Sequence, residues 1–217
     1  MPTNYTYFPS CNFTAAFPEV SKKLKSYLST KGVEIGSCCR LSQSKLTPSD
    51  NLITICFTCS AITSENNPET HQISIWEYLL SIDFDWPDYH GEEMVLQDCF
   101  RARNKPEVYN AVRECLRRMN ITIIELEENK DKTMFDGTWL YNPQIESNLK
   151  NAPIYFNDIQ DNYTNIKTNE EQLNLMKQHV TLYKDKKVVD YCTACHKGIL
   201  LGGGNAIHIL ELISINL

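Results

Sequence analysis

Cysteines carry most of the chemistry that this sequence can perform. An adjacent pair, Cys38-Cys39, is followed by a C-x-x-C pair, Cys56 and Cys59, and Cys11 precedes both. Thiolates bind zinc and iron–sulfur clusters, and C-x-x-C pairs also act as redox dithiols. In a reducing compartment, clustered cysteines bind metal or take part in redox chemistry more often than they form disulfides. This part of the chain therefore predicts a metal or redox site.

Three further cysteines repeat part of this pattern later in the chain. Cys99 stands alone, as Cys11 does, and Cys192 and Cys195 form a second C-x-x-C pair. A Pro-Glu-Val tripeptide begins 7 residues after each of the two lone cysteines. Cys115 falls on the apolar face of a predicted helix, and we interpret it as a core residue. The spacing thus indicates a duplicated unit.

The elements around these cysteines also correspond. Each Pro-Glu-Val opens a segment with apolar residues at the helix period, and a strand-like stretch follows, at 33–35 and at 121–126. An apolar strand then runs into each C-x-x-C pair, and ISIWEYLLSI and AIHILELISI predict a closing helix in each copy. We therefore predict an α/β fold of two tandem pseudo-symmetric units, each a small, mostly parallel sheet with flanking helices.

The predicted units meet at a segment rich in proline and acidic residues. The first unit is expected at residues 1–84, the linker at 85–93 and the second unit at 94–217, with an insertion at about 138–185. Cysteines at the C-terminal ends of strands lie on the edge where α/β folds place their sites. Cys11 and Cys99 precede predicted helix N-termini, where backbone N–H groups and the helix dipole stabilise thiolates.

The order of these motifs, a cysteine, a vicinal Cys-Cys and a C-x-x-C, resembles the cysteine-rich CCG domain of the heterodisulfide reductase family. In that family the pattern occurs twice per chain, and each complete copy implies a non-cubane [4Fe–4S] cluster held by five cysteines. The resemblance implies that the cluster ligands here are Cys11, Cys38, Cys39, Cys56 and Cys59. Five converging thiols exceed the four ligands of a tetrahedral zinc ion, whereas a cluster of several irons can use all of them.

The second copy departs from the family pattern. Met134-Phe135 stands in place of the vicinal cysteines, and Asp136-Gly137 follows. The remaining cysteines, Cys99, Cys192 and Cys195, could hold a conventional iron–sulfur cluster, or zinc with Asp136, a histidine or water as fourth ligand. An empty, structural site is a third possibility. His196, next to the last cysteine, is the best placed histidine in the sequence.

The composition of the chain argues against some classes of binding partner and of protein. The 217 residues carry a formal charge of −6 and a pI of about 5.4, which argues against nucleic acid as the main partner. No apolar run approaches the roughly 20 residues of a transmembrane helix, and no signal peptide is recognised at the N-terminus. The odd count of 9 cysteines argues against a disulfide framework. We expect a cytoplasmic protein.

The resemblance implies an iron–sulfur redox subunit that acts in electron transfer or in disulfide or thiol reduction. No flavin or nicotinamide fingerprint is recognised, so a partner subunit, such as a dehydrogenase, would supply electrons, and a thiol or disulfide is the candidate substrate. Arg101 and Arg103 could neutralise a charged site or bind an acidic substrate. Two other interpretations stay open: a non-redox zinc protein with a structural or interaction role, and a dithiol oxidoreductase that uses Cys56 and Cys59.

Overall fold

Two four-stranded sheets, each with all of its strands parallel, organise the chain in the computed structural model, which describes residues 4–143 and 146–217. Helices connect the strands of each sheet. This architecture confirms the predicted α/β fold of two tandem units.

The first sheet is built within residues 4–81. Its strands are β1 (Tyr5–Phe8), β2 (Glu34–Ile35), β3 (Asn51–Thr54) and β4 (His71–Ser74). The helices of this stretch are α1 (Cys11–Ala16), α2 (Pro18–Thr30), α3 (Cys39–Ser42), α4 (Phe57–Asn66) and α5 (Ile75–Ser81), with a 3₁₀ turn at Gln43–Lys45.

The second sheet follows along the chain. Its strands are β5 (Glu93–Gln97), β6 (Thr122–Glu125), β7 (Val188–Asp190) and β8 (Ala206–His208). The helices are α6 (Pro106–Arg118), α7 (Glu146–Leu149), α8 (Pro153–Tyr163), α9 (Asn169–Val180), α10 (Thr193–Leu201) and α11 (Ile209–Ile213). Short 3₁₀ turns lie at Phe100–Ala102, Lys130–Lys132, Trp139–Tyr141, Thr181–Tyr183 and Ser214–Asn216.

The two sheets have the same strand order. The first runs β2-β1-β3-β4 and the second runs β6-β5-β7-β8. In each sheet the chain first adds a strand on one side of the starting strand and then continues on the other side. The direction of winding therefore reverses between β1 and β3, and again between β5 and β7. Loops diverge at such a switch point, which is where open α/β sheets bind ligands.

Apolar inner strands form the core of each sheet. Leu52 and Ile53 of β3 and Val188 and Val189 of β7 are all 0% exposed. Helices cover both faces of a parallel sheet, so its inner strands are apolar on both sides. The apolar face predicted for α6 is also buried and comprises Val108, Val112, Cys115 and Leu116.

The closing helix of each copy begins later than the sequence predicts. The first two residues of ISIWEYLLSI end β4, and the first three of AIHILELISI form β8. A capping interaction then starts each helix. The backbone N–H of Ser74 donates to the Glu77 carboxylate at 2.8 Å, and that of His208 donates to Glu211 at 2.8 Å. The two caps occupy corresponding positions, which extends the correspondence between the units.

Contacts divide the described chain into two compact units. The first comprises residues 4–81, 146–163 and 217, and the second comprises 82–143 and 164–216. The helices α7 and α8 lie in the stretch that sequence analysis treats as an insertion of the second unit, yet they pack with the first. There the Glu65 carboxylate accepts hydrogen bonds from the backbone N–H groups of Ile154 and Tyr155, both at 2.9 Å.

Candidate metal centre

The switch point of the second unit carries three cysteines. Cys99 follows β5, Cys192 precedes α10, and Cys195 lies in the first turn of α10. Because β5 and β7 are parallel neighbours, the loops that leave them emerge at the same edge of the sheet. The fold thus brings together thiols that are far apart in the sequence.

Asp136 completes a four-donor group with these thiols. One ligand atom from each of the four side chains lies within 4.8 Å of every other. Asp136 Oδ1 is 3.4 Å from Cys99 Sγ and 3.8 Å from Cys192 Sγ. Tetrahedral zinc with Zn–S bonds of about 2.3 Å holds its ligand sulfurs about 3.8 Å apart. All four residues are buried, and the most exposed, Cys192, is 7% exposed. This buried group could hold a single metal ion.

Asp136, one of the fourth ligands that the sequence leaves open, lies beside the three thiols. His196 instead pairs with Asp190, with Nδ1 2.8 Å from Oδ2. The sequence predicts Met134-Phe135 in the place of the vicinal cysteines of the first copy. The place of Asp136 in the group favours an alignment shifted by one residue, in which Asp136 replaces Cys39.

Burial and mutual hydrogen bonding separate the pKa values of these donors. The pKa of Cys192 lies well below its usual value, because the thiols of Cys195 and Cys99 hydrogen-bond to its sulfur. Burial raises the pKa of Cys195 and of Cys99 well above the usual value. Burial also raises the pKa of Asp136 to about 7, although the Arg101 guanidinium beside it opposes this shift. Cys192 is therefore the most acidic of the three thiols, and metal binding must displace protons from the other donors.

Asp98 anchors the loop that carries Cys99. Its buried carboxylate accepts hydrogen bonds from Arg113 Nη2 at 2.6 Å, from the Tyr191 hydroxyl at 2.7 Å and from the Lys130 backbone N–H at 2.8 Å. The Tyr191 hydroxyl oxygen also accepts a hydrogen bond from the Cys99 backbone N–H at 3.3 Å. No spacing in the sequence predicts this network, because its members are single residues from separate segments that only the fold brings together.

The first unit places the five predicted cluster ligands around the corresponding switch point. Cys11 begins α1 after β1, the vicinal pair lies at the start of α3, and the C-x-x-C pair follows β3. The thiols are close enough to shift one another's pKa: Cys38 contributes to the shift at Cys11, Cys59 to that at Cys39, and Cys56 to that at Cys59. Cys11 is exposed, Cys38 and Cys56 are half-buried, and Cys39 and Cys59 are buried. This centre is therefore more open than the group in the second unit.

Hydrogen bonding polarises the buried thiols of the first unit. The hydrogen bond with Cys59 lowers the pKa of Cys39, and the same bond raises the pKa of Cys59 well above its usual value. Burial raises the pKa of Cys11, and the neighbouring Cys38 thiol adds to that shift. Among the described residues, only the group in the second unit has three or more such donors mutually within 4.8 Å. The five thiols of the first unit do not share that single-ion spacing.

Asparagines from the α7 segment hold the loop that follows the vicinal cysteines. Arg40 Nη2 donates to Asn148 Oδ1, and Gln43 Nε2 donates to Asn151 Oδ1 at 2.8 Å. Asn148 is 5% exposed. The position of the vicinal pair thus depends on residues more than 100 positions later in the chain.

Comparison with known proteins adds no family to this geometry. No family model, curated protein or solved structure matches the chain. The resemblance to the CCG domain therefore stays a prediction that depends on the order and spacing of the cysteines.

Within residues 4–143 and 146–217, no helix combines the length and apolar character needed to cross a membrane.

Gly137 allows Asp136 to approach α10 closely. A Cβ added to Gly137 would lie 2.1 Å from the carbonyl oxygen of Ala194, and a Cβ added to Gly198 would lie 2.4 Å from the Gly137 Cα. Gly137 also has a φ of +57°, in the left-handed region that favours glycine. The backbone beside Asp136 therefore packs directly on the helix that carries Cys195.

Substituting Gly137 with alanine is expected to destabilise the second unit strongly. The left-handed backbone costs a non-glycine residue about 1–2 kcal/mol, and overpacking typically adds about 1–3 kcal/mol. We expect the free energy of unfolding, measured by urea denaturation, to fall by about 3 kcal/mol, and metal affinity to fall with it because Asp136 is displaced.

Gly91→Ala is the matched control for this substitution. Gly91 has a φ of +82°, and no atom lies within 4 Å of an added Cβ. The free energy of unfolding of this variant should fall only by the cost of the left-handed backbone, about 1–2 kcal/mol. Equal destabilisation of the two variants would show that the contact with α10 is unimportant.

Proposed function

We propose that this protein is an iron–sulfur redox subunit of the heterodisulfide reductase type, in which the first unit holds a non-cubane [4Fe–4S] cluster and the second holds one divalent metal ion. The ligands of the cluster are Cys11, Cys38, Cys39, Cys56 and Cys59. The ligands of the ion are Cys99, Asp136, Cys192 and Cys195. One observation carries the proposal: both units place thiols at the same switch point of the same strand order, but with different donor sets.

The donor sets fit these two kinds of centre. Three thiols and a carboxylate with the spacing of ligands to one ion suit zinc, which accepts sulfur and oxygen ligands in a tetrahedron. Five thiols outnumber the ligands of such an ion, and thiolates are the usual protein ligands of iron–sulfur clusters. The first unit therefore has the donor set of the larger centre.

The difference in burial supports a division of roles. The exposed Cys11 and half-buried Cys38 leave the first centre accessible to a reacting group. The donors of the second centre are all buried, as expected of a closed structural site. A bound cluster supplies electron transfer at the first unit, and a partner subunit that donates electrons, such as a dehydrogenase, completes the reaction. A thiol or disulfide is the proposed substrate class.

The close spacing in the second unit favours one alternative. In this alternative, zinc occupies one or both sites, and the chain is a structural or interaction protein in which metal binding contributes folding energy rather than chemistry. A third hypothesis is a dithiol enzyme that cycles between the thiols and a Cys56–Cys59 disulfide. It assigns no role to Cys11 and the vicinal pair.

Metal and sulfide analysis of anaerobically purified protein tests the proposal. We expect a brown protein with roughly four iron and four acid-labile sulfide per chain, together with one zinc ion. Colourless protein with zinc at both centres and no sulfide after anaerobic reconstitution with iron and sulfide would establish the structural alternative. Protein without metal that forms a Cys56–Cys59 disulfide on oxidation would establish the dithiol enzyme.

A further inference from the structure

Arg101 lies against the donor group of the second unit from one side. Its Nε is 2.8 Å from Asp136 Oδ2, and its Nη2 donates to Asp136 Oδ1 at 3.1 Å. Nη2 is also 3.5 Å from Cys192 Sγ. One guanidinium thus contacts both the carboxylate and one of the thiols. Arg101 is itself buried, with 7% of its surface exposed.

The charge of the site explains why a buried arginine is there. Three thiolates and a carboxylate carry four negative charges, and one divalent ion leaves two of them uncompensated. A buried uncompensated charge is costly, because the interior solvates it poorly. Arg101 supplies one positive charge without occupying a ligand position, since guanidinium remains protonated and cannot bind metal as an acceptor.

The two carboxylate oxygens of Asp136 have different surroundings. Oδ1 faces Cys99 and Cys192 at 3.4 and 3.8 Å and also accepts the hydrogen bond from Arg101 Nη2, whereas Oδ2 lies 2.8 Å from Arg101 Nε and faces neither thiol. A planar guanidinium fixes a carboxylate in orientation better than a flexible ammonium does. Arg101 thus contacts both oxygens and fixes the plane of the carboxylate, and Oδ1 is the oxygen presented to the thiols.

The position of Arg101 is itself fixed. Its guanidinium carbon lies 5.0 Å from the centroid of the Trp139 ring, a distance at which a cation is attracted to an aromatic face. Arg101 belongs to the 3₁₀ turn directly after Cys99, and Trp139 follows Asp136 by three residues. The same two segments that supply ligands therefore also hold the arginine.

We propose that Arg101 is a positioning residue of the second metal centre, which holds Asp136 as a one-oxygen ligand and offsets the negative charge of the thiolates. This inference rests on the proposed metal centre and assigns it one buried, four-coordinate divalent ion. Partners of ligand residues typically change metal affinity by about 10–100-fold when they are removed.

Three variants test this role in the full chain. Arg101→Gln removes both the positive charge and the planar guanidinium, whereas Arg101→Lys keeps the charge alone. Arg103→Gln is the control, because Arg103 is a nearby arginine that contacts the backbone oxygen of Asp131 instead. Zinc release to a chromogenic chelator should be about 10–100-fold faster in Arg101→Gln, intermediate in Arg101→Lys and unchanged in Arg103→Gln.

Cobalt substitution distinguishes positioning from general stability. In the Co²⁺-loaded second centre, thiolate-to-metal absorption should persist in Arg101→Gln, whereas the d–d bands, which report on ligand geometry, should shift. In an Asp136→Asn background, Arg101→Gln should accelerate zinc release less than it does in the wild-type protein, because the carboxylate that Arg101 positions is gone and only its charge beside Cys192 remains.

Two outcomes would overturn the inference in different ways. Wild-type protein that binds one ion, with Arg101→Gln identical to Arg103→Gln in release rate and spectrum, would refute the role of Arg101 and leave the centre intact. Wild-type protein that binds no ion at Cys99, Cys192 and Cys195 would refute the centre and the role together.

Discussion

Cys195→Ser is expected to abolish metal binding in the second unit and to unfold much of that unit. Cys195 is 0% exposed, so a serine there would place a hydroxyl in a buried site and remove one ligand. Structural zinc contributes roughly 10–16 kcal/mol of apparent binding free energy in small zinc domains. We expect the free energy of unfolding to fall by at least about 3 kcal/mol, and a strong chelator to produce a similar loss in the wild-type protein. Urea denaturation with and without chelator, together with zinc analysis, measures both effects.

Cys115→Ser is the matched control, since Cys115 is also 0% exposed but lies on α6, outside both thiol groups. It makes the same chemical change in a buried position and should retain zinc. Its free energy of unfolding should fall by about 1–3 kcal/mol, the cost of burying a hydroxyl. If both variants bound zinc equally, or if the chelator left wild-type stability unchanged, the group would not be a structural metal site.

A double substitution, Cys38→Ser with Cys39→Ser, is expected to remove the iron–sulfur centre of the first unit. Two of five proposed ligands are lost, and the remaining three are too few for a cluster that uses five. Iron and acid-labile sulfide should fall to background, and visible absorption should disappear. Elemental analysis and absorption spectra after anaerobic reconstitution measure this loss.

The zinc content of the double variant provides the internal control. Because the ligands of the second centre come from other segments, the variant should still bind one zinc ion, while Cys195→Ser should lose zinc and retain iron and sulfide. Retention of iron and sulfide by the double variant, at wild-type stoichiometry, would remove the vicinal cysteines from the site. Loss of both metals in each variant would show that the two centres do not form independently.

The sequence was sufficient to predict the two α/β units, because their signals are local and occur twice. The Pro-Glu-Val tripeptides mark the starts of α2 and α6, and the C-x-x-C pairs mark the ends of β3 and β7. Parallel neighbours then bring the ends of these strands together whatever lies between them. The same reasoning accounts for the proximity of Cys99 to Cys192 and Cys195.

Features that depend on tertiary packing could not be predicted from the sequence. The loop before Asp136 has no periodicity that sets its alignment with the first copy, so the sequence alone does not identify Asp136 as the fourth member of the donor group. Arg101 could be named as a possible counter-charge, but only the structure shows its contact with Asp136. The late starts of α5 and α11 follow from caps, Ser74 with Glu77 and His208 with Glu211, that compete with the helical pattern before them.

The late position of residues 146–163 in the chain has a consequence for biosynthesis. A ribosome delivers both β5 and β6 before it reaches α7 and α8, which complete the first unit. Domains usually fold in order as they emerge from the ribosome. Here the first unit is complete only when residues 146–163 have been translated, and these residues follow the first two strands of the second unit. Until Asn148 and Asn151 arrive, the vicinal cysteines lack the contacts that secure their loop. Assembly of any centre at those thiols would therefore be a late event on the nascent chain, and a fragment that stops between the two sheets would never reach it.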